Sequence, residues 1–176
     1  MTINVSTDLI TEITQLLYHE AEPLDGGQYE AWLALLASDV IYTADIRSDI
    51  DPAAADPIID PTPSDEHRLS YFHDDYALVQ TRVRKIRTGL LKTENPPSRT
   101  VRMISNVQVL PTEVPDEHVV HRAFLLYRHR RQRQVEILAG HRHDRWRRTV
   151  DGWRLAARDV RFAANVLPTK SLSLFY

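Results

Sequence analysis

The dominant spacing of apolar residues changes near Asn95 in this chain of 176 residues, and that change limits the folds open to it. In the first half, apolar side chains mostly recur every three or four positions, which is typical of helices with one buried side. From Asn95 onward they alternate with polar ones, which is typical of strands. Helices followed by strands joined through short turns predict an α+β fold, in which the helices pack on one face of a curved, mostly antiparallel sheet.

Three helices are predicted in the first half. The first begins at Ser6 or Thr7 and ends near Glu22, and the third begins at Asp74 and Asp75, whose carboxylates suit the positive end of a helix dipole. The apolar stripes of the three helices are Leu9, Ile13, Leu16 and Leu17; Tyr29, Trp32, Leu33 and Leu36; and Tyr76, Val79, Val83, Ile86 and Leu90.

Five strands are predicted. One covers residues 40–46, between the second and third helices, where β-branched and aromatic residues are concentrated. The other four form a run at 101–109, 119–127, 135–146 and 153–158, with a hairpin signal at Asp151-Gly152. In the first strand of this run Val101, Met103, Val107 and Val109 alternate with polar residues, so they are expected to share one face.

The length of the chain favours one domain, because folding at this size can bury roughly 70 % of the surface of the unfolded chain. An apolar fraction of 43 % and a charged fraction of 26 % are ordinary for a globular protein. We therefore expect residues 1–176 to form a single domain. Residues 48–66 are rich in Pro, Asp and Ala, and we expect them to form a long surface excursion.

The net charge of −2 conceals a strong division along the chain. Residues 1–75 hold 16 Asp and Glu against Arg47 and Arg68 alone, whereas residues 76–176 hold 8 acidic residues against 20 Lys and Arg. The two halves should attract each other, within the fold or between copies. The basic run at 129–133 could suggest nucleic-acid binding, but a strand face that pairs with the acidic half is the better interpretation, and no nucleic-acid partner is predicted.

The chain contains no cysteine. This excludes disulfides, thiolate-bound zinc and iron–sulfur clusters, because even a Rieske centre needs two thiolates. The first eight residues lack the basic and apolar regions of a signal peptide, and no stretch approaches the ~18 apolar residues that span a bilayer. We expect a cytoplasmic protein without a membrane partner.

Several short stretches of the sequence together carry a resemblance to a known family. The stretches are Glu-Ala-Glu-Pro-Leu-Asp at 20–25, Trp-Leu-Ala-Leu-Leu at 32–36, Asp-Asp-Tyr at 74–76, Arg-Val-Arg-Lys-Ile-Arg-Thr-Gly at 82–89, Pro-Pro-Ser-Arg-Thr at 96–100, Ser-Asn-Val at 105–107, Tyr-Arg at 127–128, Gly-His-Arg-His-Asp at 140–144, Gly-Trp-Arg at 152–154 and Leu-Ser-Leu-Phe-Tyr at 172–176. In this order, along nearly the whole chain, they resemble the small β subunits of aromatic-ring-hydroxylating dioxygenases, whose fold is the cone-shaped domain similar to nuclear transport factor 2. Residues 71–75 form a shorter acidic and aromatic run than the family often has, and 48–66 is unusually rich in Asp and Pro; both departures concern partner contacts.

The resemblance implies a structural subunit. In proteins similar to this one, three β subunits form a base for three α subunits, and each α subunit holds a Rieske cluster, a mononuclear iron and the aromatic pocket. It implies a complex that uses O2 and electrons from NAD(P)H, delivered by a separate reductase with or without a ferredoxin. The family assigns no catalytic residue to β in most members, so we assign none here, and likewise no cofactor-binding and no metal residue.

Two groups of histidines are candidate metal sites. His73 and Asp75, with the distant His121, could be drawn as a site of two histidines and one carboxylate for iron. A carboxylate that begins a helix is better explained as a cap.

His141 and His143 alternate onto one strand face beside Asp144, but this group lacks a third ligand at a fixed spacing. Paired histidines on a strand are more often hydrogen-bonded residues at an interface or at the edge of the core.

The alternative function is that of a self-sufficient isomerase, dehydratase or cyclase, because cone-shaped domains also include such enzymes with an acid–base pair in the cone. Tyr42, Asp45, His121 and Asp159 lie on predicted strands and could supply that pair.

Further predictions concern the three tryptophans and the apolar stretch 172–176. Trp32, Trp146 and Trp153 are predicted to pack in the core, whereas the apolar stretch 172–176 is predicted to be held in a subunit interface. Arg128 and Arg142 are expected to pair with carboxylates across subunits, so that reversing either to Glu should weaken association more than folding.

Overall fold

The computed structural model describes residues 5–45, 70–89, 91–164, 166–169 and 171–176, so the excursion predicted at 48–66 lies outside the described residues. Three helices and six strands follow one another in the described ranges. They are α1 (Thr7–Asp25), α2 (Tyr29–Leu33), β1 (Leu36–Asp45), β2 (Ser70–Asp75), α3 (Tyr76–Arg87), β3 (Arg99–Pro111), β4 (Glu117–Arg130), β5 (Gln134–Thr149) and β6 (Gly152–Phe162), with a short 3-10 turn at Lys92–Glu94.

All six strands form one sheet in the order β2-β1-β6-β5-β4-β3. Neighbouring strands are antiparallel except β1 and β6, which run parallel. The four strands from β3 to β6 are successive hairpins, as the short turns between them predict, and Gly152 in the last turn has a positive φ of 102°. The predicted α+β class and the mostly antiparallel sheet are therefore confirmed.

The start of the third helix differs from the prediction. Residues 70–75 form strand β2, and Asp74 belongs to that strand. Asp75 alone caps α3, because its carboxylate accepts a hydrogen bond of 2.8 Å from the backbone nitrogen of Leu78. The two adjacent carboxylates therefore have different partners, because Asp74 forms an ion pair with Arg82 at 2.6 Å.

The ends of the first two helices also differ. Helix α1 continues to Asp25, with Pro23 inside its last turn. Helix α2 stops at Leu33, and the predicted stripe residue Leu36 begins β1 instead. Pairing with β6 explains the early stop, because the backbone nitrogen of Leu155 donates to the carbonyl of Leu35 at 2.8 Å and thus draws this segment into the sheet.

Strand β3 contains a bulge that the alternation of its residues conceals. The register with β4 shifts between Ser105 and Gln108, and Asn106 has a φ of 54°. One extra residue reverses the faces, so that Val109 is buried whereas Val101 and Met103 are each 56 % exposed. The prediction that these residues share a face is therefore wrong.

The sheet has two different faces. We call the one that packs on the helices the inner face and the opposite one the outer face. The inner side holds a core that includes Trp32, Tyr42, Trp146 and Trp153, as predicted for the tryptophans. It also holds the end of the sequence: Leu174, Phe175 and Tyr176 are at most 1 % exposed.

The position of this last segment corrects the prediction that a subunit interface holds it. The ring of Phe175 lies 4.5 Å from that of Trp32, and the hydroxyl of Tyr42 accepts a hydrogen bond of 2.7 Å from the nitrogen of Tyr176. Arg82 donates to the carbonyls of Leu172 and Leu174 at 3.1 and 2.9 Å. The segment is therefore part of the chain's own core.

Candidate functional site: a buried charge cluster and an uncovered sheet face

Five charged side chains meet on the inner face, and we call them the arginine–carboxylate cluster. They are Glu20 from α1, Arg122 from β4, Arg142 and Asp144 from β5, and Arg158 from β6, and each is 1 % exposed. The strand register brings them together, because Asp144 lies directly opposite Arg158, and Arg122 lies opposite Arg142.

The carboxylates of this cluster are fully engaged by arginines. Arg158 binds Asp144 through two parallel hydrogen bonds of 2.8 Å and reaches Glu20 at 2.7 Å. The Nη2 atom of Arg122 lies 2.9 Å from Glu20 and 2.8 Å from Asp144. Glu20 also accepts a hydrogen bond of 3.1 Å from the indole of Trp32. The cluster thus fastens α1 to three neighbouring strands.

The electrostatics of the cluster oppose acid–base chemistry there. Burial by itself raises the pKa of Glu20, but Arg158 and Arg122 outweigh it and hold that pKa well below its usual range. Asp144 follows the same pattern, and its pKa is lowered. Burial raises the pKa of the nearby Tyr42 hydroxyl, which therefore keeps its proton. A general acid at neutral pH needs a carboxyl with a raised pKa, and these two carboxyls are held ionised instead.

A second buried arginine, Arg128, ties β4 to the residues that precede β3. It lies 2.6 Å from Glu94 and 2.8 Å from Glu136, and its Nε donates to the hydroxyl of Ser98 at 2.8 Å. Arg128 is only 4 % exposed and Arg142 only 1 %. The expectation that these two arginines pair across subunits is therefore wrong, and reversing either charge should unfold the subunit itself.

The outer face carries apolar side chains that nothing in the described part of the chain covers. Val101, Tyr127 and Ile137 lie side by side in register on β3, β4 and β5 and are 56 %, 36 % and 53 % exposed. Met103 and Val135 lie on the same face and are also more than half exposed. We call these five residues the apolar outer patch. Contiguous apolar patches on a folded surface usually mark an interaction site.

A row of polar residues crosses the outer face beside this patch. The imidazoles of His121 and His143 are stacked with ring centres 4.0 Å apart. Partial burial and the nearby Arg161 lower the pKa of His121, and the pKa of His143 is lowered by burial and by His121. Both rings are therefore neutral at pH 7, and they pack against each other as aromatic side chains do.

The structure separates the residues of both metal hypotheses. His73 on β2 and His121 on β4 are four strand spacings apart, about 19 Å, which is too far for one ion. Asp144 points to the inner face, away from His141 and His143 on the outer one. Within the residues that the structure describes, no group of three or more His, Cys, Asp or Glu side chains is arranged to hold a metal.

The residues proposed for an acid–base pair are only partly brought together. Tyr42 lies in the core and Asp45 ends β1, whereas His121 and Asp159 lie in one row on the outer face with His143 between them. The inner side does contain a cavity of about 990 Å³ between α1 and strands β3 to β5, lined by mostly apolar residues that include Ala21, Ile104, Phe124 and Gly140. None of the four candidates lines it.

Sequence patterns missed the cluster, although a signal for it is present. Arg122 occurs between Val120 and Phe124 at the buried positions of β4, and Arg142 and Asp144 occupy the matching positions of β5. A charged residue at a position that alternation assigns to the core must have a partner. This rule identifies the strand residues, but it does not identify Glu20 as their partner on a helix.

The sequence matches a known protein family over most of its length. A family model described as the ring hydroxylating β subunit matches residues 19–169. The chain belongs to this family. It is 34 % identical to the benzene 1,2-dioxygenase β subunit of Pseudomonas putida, over 98 % of this chain and 91 % of that protein. It is equally similar, with the same coverage, to the chlorobenzene dioxygenase β subunit of Cupriavidus sp. strain PS12.

A solved structure gives the same result. A chain of naphthalene 1,2-dioxygenase with indole bound in the active site superposes with a TM-score of 0.86 at 25 % identity, covering 98 % of this chain and 89 % of that one. Together these matches confirm the resemblance and the cone-shaped fold, and they support a dioxygenase β subunit over a self-sufficient isomerase, dehydratase or cyclase. Among the described helices, none combines the length and the apolar character needed to cross a membrane.

Proposed function

We propose that this chain is the structural, non-catalytic β subunit of a cytoplasmic complex that dihydroxylates an aromatic compound. In this proposal three copies associate with three α subunits, which carry the Rieske cluster, the mononuclear iron and the substrate pocket. A separate reductase, with or without a ferredoxin, passes electrons from NAD(P)H to the complex. The relatives act within named benzene, chlorobenzene and naphthalene dioxygenases, which supports an aromatic substrate.

The observation that carries the structural role is the state of the charged groups inside the fold. Glu20 and Asp144 are each bound by two arginines and kept ionised. A buried ion pair of this kind contributes to a defined arrangement of helix and strands, and it leaves no proton to exchange with a substrate.

The apolar outer patch supports the proposed assembly. A β sheet with one buried face normally presents polar side chains on the other, whereas here Val101, Met103, Tyr127, Val135 and Ile137 are exposed together. Their burial against another subunit would remove apolar surface from water, which is the main favourable term in most protein association. We propose that this patch contacts a neighbouring subunit of the complex.

Replacing Val101 with Glu tests this role for the patch. The variant should fold normally, because the side chain is 56 % exposed, but it should bind the α subunit or other β copies at least tenfold more weakly, since a carboxylate would lie in an apolar contact. The measurement is the yield of complex after co-expression with a tagged α subunit, together with size-exclusion chromatography.

A matched control is Val150→Glu, because Val150 is fully exposed in the turn between β5 and β6. It should leave the yield of complex unchanged. Equal yields from the two variants and the unmodified chain would show that the patch is not a subunit contact.

A further inference from the structure

Two arginines of the arginine–carboxylate cluster lie side by side with part of their hydrogen-bonding capacity unused. Arg122 on β4 and Arg142 on β5 are directly paired across the strands, and each is 1 % exposed. The Nε and Nη1 atoms of both are buried and have no hydrogen-bond partner among the residues that the structure describes. Buried guanidinium N–H groups without an acceptor are costly, so native proteins rarely keep them.

The carboxylates of the cluster do not accept hydrogen bonds from these Nε and Nη1 atoms. Asp144 and Glu20 direct their oxygens to Arg158, to the Nη2 atom of Arg122 and to Trp32. Among the side chains of the cluster, three guanidinium groups therefore share two carboxylates.

Arg142 is the least compensated of the three arginines. Burial, followed by the charges of Arg122 and Arg158, holds the pKa of Arg142 well below the usual range of an arginine. A guanidinium in a protein nevertheless keeps its proton at neutral pH, so Arg142 requires a nearby negative charge. Its contact with the face of the Phe124 ring, 5.5 Å from the ring centre, supplies only a weak substitute.

The cavity on the inner side borders residues that neighbour these two arginines. Phe124 and Gly140 line it, and Gly140 occupies the inner-face position of β5 next to Arg142. The Phe124 ring, which the Arg142 guanidinium contacts, therefore also borders the cavity.

We propose that one small monovalent anion binds between Arg122 and Arg142, as an acceptor for their unpartnered Nε and Nη1 groups. The anion is a halide or the carboxylate of a small organic acid, since both offer a single negative charge and compact acceptors. The site stabilises the inner face by supplying the third negative charge of the cluster.

The first test is the melting temperature of the purified full-length chain at constant ionic strength. Sodium gluconate, whose anion is too bulky for a buried site, is replaced stepwise by chloride, bromide or acetate. At a tenfold excess over its Kd a bound anion should raise the melting temperature by roughly 3–6 °C, with saturation. A rise with the halides alone identifies a halide site, and a rise with acetate alone identifies a carboxylate site. A melting temperature that is the same in all four salts would refute the proposal.

Two variants separate this site from general salt effects. Arg142→Met keeps an unbranched apolar side chain but removes the guanidinium group and its charge, so the dependence on the anion should disappear. Arg87→Met, which removes an arginine that is 77 % exposed on α3, should keep the full dependence. An unchanged dependence in the Arg142 variant would contradict the proposal.

A direct measurement avoids the risk that the Arg142 variant does not fold. Crystals of the unmodified chain grown in bromide should show an anomalous peak between the two guanidinium groups, or, if acetate alone stabilises the chain, crystals grown in acetate should show a carboxylate there. Water molecules or protein atoms in that position under all conditions would overturn the proposal.

Discussion

Glu20 links the first helix to the inner face of the sheet. It joins α1 to β4 and β6 through Arg122 and Arg158, and it accepts the indole N–H of Trp32. Removing one partner of a buried ion pair is far more costly than removing an exposed one, because the remaining charge has no water around it.

Replacing Glu20 with Gln should therefore destabilise the chain by ~3–5 kcal/mol, although the side chain keeps its shape. Urea unfolding of the variant measures this free energy. Glu30→Gln is the matched control, because Glu30 pairs with Arg87 on the surface, where its side chain is 55 % exposed, and the change should stay within about 0.5 kcal/mol. Similar losses from the two variants would show that the buried cluster does not stabilise the fold.

The cluster also predicts the dependence of stability on pH. The pKa values of Glu20 and Asp144 are lower in the folded chain than in the unfolded one. Their contribution to stability is therefore complete above their unfolded values, roughly pH 4, and is lost as the pH falls toward the folded values. Unfolding free energies measured from pH 7 to pH 3 should decrease below about pH 4.5, and less steeply in Glu20→Gln. Equal slopes for both proteins would contradict this assignment.

At the scale of elements, the predictions succeeded where periodicity is long and regular. Helix α1 and strands β4 to β6 agree with their apolar patterns, and the hairpin at Asp151-Gly152 is present. They missed β2, because this strand has only six residues and is separated from its partner β1 by residues 46–69. They also missed the reversal of faces in β3 at Asn106, since one extra residue leaves the local alternation intact.

The last five residues show a related limit of prediction from the sequence. Their apolar character correctly indicated that they are covered, but a sequence pattern cannot distinguish a covering subunit from the chain's own core.

Phe175 allows the role of this last segment to be tested. Its ring is fully buried between Trp32, Tyr29 and Tyr42, so Phe175→Ala should lower the free energy of unfolding by ~3–5 kcal/mol through loss of core packing. Leu78→Ala on α3, where the side chain is half exposed, should cost less than about 1 kcal/mol. Normal stability of the Phe175 variant, combined with impaired subunit association, would restore the interface prediction.

In the molecule as a whole, the acidic first half and the basic second half of the sequence form ion pairs with each other within the chain. Acidic residues of α1 and β2 pair with arginines of α3 and β3 to β6, as in Glu12 with Arg148, Asp25 with Arg102 and Asp74 with Arg82. The sequence predicted this attraction but left open whether it acts within or between copies. Among the described residues, the outer face presents an apolar patch and a neutral histidine pair to partners.

The candidate site was the least predictable part of the molecule. The histidine and carboxylate patterns are local, whereas the arginine–carboxylate cluster joins positions as far apart as 20 and 158. Family resemblance, rather than residue pattern, identified the β subunit.

We propose that this subunit has a structural role and that the chemistry of the complex resides in its partner. The most direct measurement compares metal content and turnover of an aromatic hydrocarbon for the chain purified alone and for the chain co-purified with its α subunit, with reductase, NADH and O2 supplied to both. We predict iron and product only in the co-purified complex, with α and β in equal amounts. Stoichiometric iron on the isolated chain, or product formed without the α subunit, would contradict the structural role.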